Sequence, residues 1–304
     1  MEANIFTNVV LPLALAVIML GLGLTLTRYD FLRVVIFPKA FVIGLTCQMM
    51  LLPLAGFMIA KLFPMEPQLA VGVMILALCP AGATANLITY LARGDVALGI
   101  TLTAFNSIII IVTTPILINL SLAHFLGETQ EIRLPVLRTI IQVGLIILVP
   151  VSFGMLIRAR KPKLAFAAER PVRYLSMVFI VIAVLGAVLQ DVENLPSHFR
   201  QAGLSMLALN VLTLWMGYNV ARLFRLPLKQ AIAIAIEGGI QNGTLAIFIA
   251  STILKQPAMS IPAAVYSLIM FATGAFMVYY FGRRAQEAAP EMASQPPQRG
   301  SSNR

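Results

Sequence analysis

The sequence predicts an all-α polytopic membrane protein with nine transmembrane helices, built as an inverted repeat around two broken helices. Three observations carry this expectation. Apolar residues make up 59% of the 304-residue chain and charged residues 11%, where an ordinary soluble domain has about 45–50% and about 25%. The apolar residues fall in runs of about twenty, the length that crosses a ~30 Å hydrocarbon core at 1.5 Å per residue. The Lys and Arg residues lie in the short connections between those runs.

The runs are 6–27, 38–63, 69–91, 97–123, 134–157, 172–190, 203–224, 228–254 and 259–282. No basic stretch precedes the first, so it reads as a span and not as a cleaved signal peptide. Residues 285–304 are rich in Ala, Pro, Gln and Ser and are expected to form a disordered tail. Counting Lys and Arg with the N-terminus outside puts 17 on the cytoplasmic side and 5 on the outer side, the asymmetry of the positive-inside rule. The formal charge of +10 is thereby a topology signal, and a nucleic-acid partner is not expected. Cys47 and Cys79 lie inside apolar runs and read as small packing residues.

A short internal repeat joins the third and eighth runs. Ala60-Lys61-Leu62-Phe63 and Ala221-Arg222-Leu223-Phe224 open them, and an offset of 161 pairs Ala70 with Ala231 and Gly82 with Gly243. The two runs are an odd number of spans apart, so the copies are inverted in the membrane, an arrangement found in many secondary transporters.

Of the twelve acidic residues, eleven lie in connections, run ends or the tail; Glu237 alone lies well inside a span. An acid at the centre of a membrane helix costs at least ~2.5 kcal/mol on insertion scales and marks a functional site. Around it stand Gly238, Gly239, Gln241, Asn242 and Gly243. The glycines weaken the helix and free its carbonyls, which membrane depth permits only against protein or a wet cavity. A carboxylate, amide oxygens and carbonyls make an all-oxygen set suited to a hard cation. In the paired run, Pro80 and Gly82 break Cys79-Pro80-Ala81-Gly82-Ala83-Thr84-Ala85-Asn86 at the matching point. Gln48, Thr101, Thr103, Asn106 and Ser107 add polar groups from other spans.

At these residues the chain resembles the bile acid:sodium symporter family. The 79–86 element, Tyr90-Leu91-Ala92-Arg93-Gly94-Asp95 and Glu-x-Gly-x-Gln-Asn at 237–242 carry the resemblance, which extends over all nine runs. It implies a core domain (38–123 and 203–282) in which the two broken helices cross, beside a panel domain (6–27, 134–157 and 172–190). It also implies sodium-coupled import of an organic anion by alternating access, with Na⁺ as coupling ion, in the inner membrane of a bacterium. One implied sodium site is met in full by Gln48, Glu237, Gly238, Ile240 and Gln241. The other keeps Asn86, Thr103 and Glu237, but its Ser is Ala85 and its first hydroxyl position is Gly99. Thr84 stands one residue away, turned by about 100° on a helix. For the substrate the resemblance implies Asn242, with Thr84 and Thr273 as further candidates; Phe271-Ala272 replaces a His-Asn pair of bacterial relatives.

Two transporter alternatives also use Glu237: proton coupling, and an arsenite-exporter-like activity that would involve Cys79. An intramembrane enzyme lacks its partner groups, since there is one buried acid and the only histidines, His124 and His198, fall in outer connections. A channel would need rings of carbonyls or charges, and no such filter is recognisable.

Overall fold

A computed structural model of the chain describes residues 5–127, 132–189 and 195–293, and among these it contains helices and no strand. Among the described residues seven helices are long and apolar enough to cross a membrane: α1 (Phe6–Thr25), α3 (Pro38–Leu62), α6 (Val96–Leu126), α7 (Val136–Arg160), α8 (Pro162–Leu189), α9 (Pro196–Leu223) and α12 (Pro257–Gly282). Shorter helices stand between them: α2 (Arg28–Ile36), α4 (Pro67–Ala77), α5 (Ala83–Leu91), α10 (Leu228–Gly239) and α11 (Gly243–Ile253). Seven of the expected runs therefore correspond to long helices. The other two, 69–91 and 228–254, are each a pair of short helices with a non-helical break.

Four stretches differ from the sequence expectation, one of them α9, which begins at Pro196 and not at 203 and so takes in His198 and Arg200, read as part of an outer connection. α2 falls in what read as a basic connection; Thr27 starts it with a capping box, its N–H donating to Asp30 Oδ2 (2.8 Å). α8 begins at Pro162 and not at 172, carrying Pro171 inside it. The last helix runs on to Ala293, so residues 285–293 of the expected disordered tail are helical. Residues 294–304, with Arg299 and Arg304, lie outside the described residues, as do Glu2, Glu128, Glu131, Asp191 and Glu193.

Large apolar side chains cover the outside of the long helices: Leu137 is 72% exposed and Trp215 61%. In water such a surface would aggregate; against lipid it is matched solvent. Because lipid tails compete for the same apolar contacts, the helices adhere through close approach, and α1 illustrates this. It packs mainly against α7 and α8. At its crossing with α7, a Cβ on Gly23 would meet the Val151 carbonyl oxygen at 2.3 Å, and one on Gly154 would meet Leu20 O at 2.7 Å. Only glycine admits backbone contact this tight.

The two breaks face each other at the centre of the fold. Pro80 lacks an N–H and disfavours helix at Cys79, so α4 ends at Ala77. The freed Leu78 carbonyl accepts from Thr114 Oγ1 of α6 (2.8 Å). Across from it, α10 ends at Gly239, whose carbonyl accepts from Asn210 Nδ2 of α9 (2.7 Å) and from the Tyr266 hydroxyl of α12 (2.9 Å). The breaks then satisfy one another. Gly82 N–H donates to Ile240 O and Asn242 N–H to Pro80 O, both at 2.9 Å, forming an antiparallel bridge between Ala81 and Gln241. Irregular backbone deep in a membrane protein is tolerated where protein groups complete its hydrogen bonds in this way.

Candidate functional site

Glu237 lies in the last turn of α10 and is 2% exposed. Its Oε2 accepts from the Thr103 hydroxyl of α6 (2.8 Å), while its Oε1 is buried with no hydrogen-bond partner. A second buried acceptor, Asn86 Oδ1 of α5, is likewise without a partner. Both orphan oxygens converge on one point of α6: a Cβ on Gly99 would lie 3.0 Å from Asn86 Oδ1 and 3.3 Å from Glu237 Oε1. A buried polar atom left unpaired costs ~1–3 kcal/mol, and more for a charged group. A hard cation accepting both oxygens would remove that cost.

The other side of Glu237 is built from amides. Pro53 cannot donate within α3, and the turn before it widens, Leu52 N–H reaching back to Cys47 O. Gln48 projects from that widened turn. With its amide oriented to satisfy both ends, Gln48 Nε2 donates to the Glu237 main-chain carbonyl (3.0 Å), and its oxygen accepts from Asn106 Nδ2 and Ala81 N–H (both 3.1 Å). In that orientation its oxygen faces Gln241 Oε1 at 3.3 Å, two like partial charges that a cation between them would reconcile. Gln241 Nε2 in turn donates to Gly238 O (2.8 Å) and to Glu237 O (3.2 Å).

The fold thus brings Gln48, Glu237, Gly238 and Gln241 together on one side, and Glu237, Thr103 and Asn86 on the other. The Ile240 carbonyl instead accepts from Gly82 N–H at the crossing. Ala85 is fully buried and Gly99 has no side chain, so neither supplies the missing hydroxyls. Asn242 caps α11 by accepting from Leu245 N–H (3.0 Å), and its Nδ2 is buried without a partner. Thr84 lines a cavity of about 410 Å³ that also reaches Asn86, Tyr90, Arg158, Glu169 and Arg173. A small neighbouring cavity holds Thr84 with Gln241, Asn242 and Gly243. Thr273 bonds to carbonyls of its own helix and lines neither cavity. Cys47 and Cys79 are buried and unpaired as thiols.

Two residues that brace the site were not singled out from the sequence, Asn210 and Tyr266, which together hold the Gly239 carbonyl. The signal for Asn210 was present, an amide inside an apolar span, whereas that for Tyr266 depends on a contact 27 residues distant. The Tyr90–Asp95 element proves to be a junction. Asp95 caps α6 by accepting from Leu98 N–H (3.1 Å), and its own N–H donates to Lys229 O (2.8 Å) at the start of α10.

Residues 12–198, more than half of the chain, match the model of the sodium bile acid symporter family. The chain belongs to that family. The family is one of transporters, so the enzyme alternative falls away, and its members couple transport to sodium. A Bacillus subtilis protein named as a sodium-dependent transporter is 29% identical over 278 residues, covering 90% of this chain and 83% of its own length. An Oryza sativa protein named as a chloroplast sodium/metabolite cotransporter is 28% identical over 259 residues, 85% of this chain and 62% of its own. The rat sodium/bile acid cotransporter 5 is 31% identical over 212 residues, 70% of this chain and 48% of its own. This symporter-family chain therefore spans under two thirds of the rice relative and about half of the rat one.

Proposed function

We propose that this symporter carries an organic anion, such as a bile acid or a small carboxylate, inward by sodium-coupled alternating access, with Glu237 anchoring both cation sites. The observation that carries the reading is the convergence of two partnerless buried oxygens, Glu237 Oε1 and Asn86 Oδ1, beside Gly99. Sodium is the cation that the family name and the Bacillus relative's name supply. On this reading one ion takes Glu237 Oε1, Asn86 and Thr103. A second takes Gln48, Gln241 and the Gly238 carbonyl. Both ions brace the crossing, and the bound anion is received by the first turns of α5 and α11 with Asn242 Nδ2 and Thr84.

The same reading assigns α3–α6 and α9–α12 to a core built as an inverted repeat, and α1, α7 and α8 to a panel against which it rocks. The N-terminus lies outside, the C-terminus is cytoplasmic, and the membrane is the bacterial inner membrane. An arsenite-type activity has less support, because Cys79 is 2% exposed and lines neither cavity beside the crossing.

Thermal unfolding of the purified protein with increasing Na⁺ against choline⁺ tests the reading. Binding to the folded state raises stability as RT ln(1 + [L]/Kd). A saturable Na⁺ shift in the wild type, lost in Glu237→Ala, is the expected result. No specific shift in the wild type would refute sodium coupling and leave Glu237 as a proton carrier, measurable as pH-driven uptake.

A further inference from the structure

The 410 Å³ cavity is walled largely by apolar side chains, among them Leu22, Leu87, Ile100, Met177 and Ile180. Its polar groups gather at two places. Thr84 and Asn86 stand at the start of α5, beside the crossing, and Arg158, Glu169 and Arg173 come from the end of α7 and the first half of α8. In that second group Glu169 pairs with Arg173. Two cations and one anion leave a net positive charge, and it belongs to Arg158.

Arg158 differs from the basic residues that follow it. Arg160, Lys161 and Lys163 are exposed, as expected of side chains that mark the membrane boundary. Arg158 is half-buried and lines the cavity. Its guanidinium lies over the Phe166 ring, 3.9 Å from the centroid, so an aromatic face supports the cation. Its Nη1 is buried and has no hydrogen-bond partner among the described residues. A buried guanidinium N–H without an acceptor is rare enough to need an explanation. A planar fork is also the group that takes a carboxylate or sulfonate in bidentate fashion.

We propose that Arg158, supported by Phe166, binds the acid group of the transported molecule, and that the apolar wall between Arg158 and the crossing takes its body. This rests on the transporter reading above and revises it at one point: the acid group is held at Arg158, and the first turns of α5 and α11 meet the far end of the molecule's body. The residue that selects the charged form is Arg158, and the cavity lies in the range of ~300–1,000 Å³ that accommodates drug-sized ligands. Glu169, held by Arg173, leaves Arg158 open to the incoming anion.

The test compares each of two acids with its own neutral amide: naphthalene-2-carboxylate with naphthalene-2-carboxamide, and cholate with cholamide. Binding is measured calorimetrically in saturating NaCl on the full chain in lipid nanodiscs. In the wild type at least one acid should bind about tenfold tighter than its amide, a difference that one charged hydrogen-bonding partner supplies. Arg158→Gln should bring that ratio close to one, Arg158→Lys should retain part of it, and Phe166→Leu should lower it about threefold. The Na⁺-induced thermal shift should be unchanged in all three, which also shows that they fold. The proposal is overturned if neither acid is preferred in the wild type, or if the preference survives Arg158→Gln. Loss of the Na⁺ shift in the wild type would instead strike the sodium-symport reading, so the two failures are separable.

Discussion

Toward Gln48 and Gln241, Glu237 offers its main-chain carbonyl; toward Thr103 and Asn86 it offers a carboxylate with one oxygen unpaired. The first side is a cage of dipoles that holds every expected ligand except the Ile240 carbonyl, which is taken up by Gly82 N–H. The second carries the formal charge but lacks two hydroxyls, at Ala85 and Gly99. The fuller ligand set and the charge have thus been placed on opposite sides of one residue. The lesson is that a count of matching ligands does not by itself rank the two sides for a cation, because a charged oxygen and a neutral one contribute unequally.

The sharpest way to break this comparison is Glu237→Gln, which keeps the shape and the main-chain carbonyl while removing the charge. Sodium affinity, read from the dependence of thermal stability on Na⁺, should fall about 100-fold if the carboxylate side dominates. A fall under threefold would show that the dipole cage carries binding. Next in size, Asn86→Ala and Gln241→Ala should each weaken sodium binding about tenfold. If both sides bind, either one should also reduce the Hill coefficient of sodium-driven uptake toward one.

A smaller effect is expected at Gly99. Gly99→Ser places a hydroxyl next to the two orphan oxygens and should tighten sodium severalfold, whereas Gly99→Ala, adding bulk 3.0 Å from Asn86 Oδ1 and no ligand, should weaken it. Smallest is Tyr266→Phe, which leaves Asn210 holding the Gly239 carbonyl. It should cost ~1 kcal/mol of stability with the sodium dependence intact.

These residues also mark what was readable from the sequence. Glu237 and both breaks were visible because their signals are local: one acid in an apolar run, a proline with a glycine, a cluster of glycines. The pairing of the Gln48, Asn86 and Thr103 side chains with Glu237 came from family resemblance, since no periodicity links residues more than a hundred positions apart. Other features were misread because one signal masked another. The charges of Arg28 and Arg33 read as a loop, although Thr27 and Asp30 spelled a capping box for α2. The charges from Arg158 to Arg173 likewise hid the first turns of α8. Arg158 itself was counted with its neighbours as a topology marker, and only its position over Phe166 separates it from them. The composition of the last residues suggested no structure, yet the final helix extends to Ala293.

The bridge between Ala81 and Gln241 has a mechanical consequence. It is made from main-chain groups alone, two hydrogen bonds of 2.9 Å between non-helical breaks that belong to distant parts of the chain. A displacement of either half-helix pair is therefore transmitted to the other as through a pinned joint in a truss. On the alternating-access reading, the compliance would have to come from the surfaces between helices where no backbone hydrogen bond crosses.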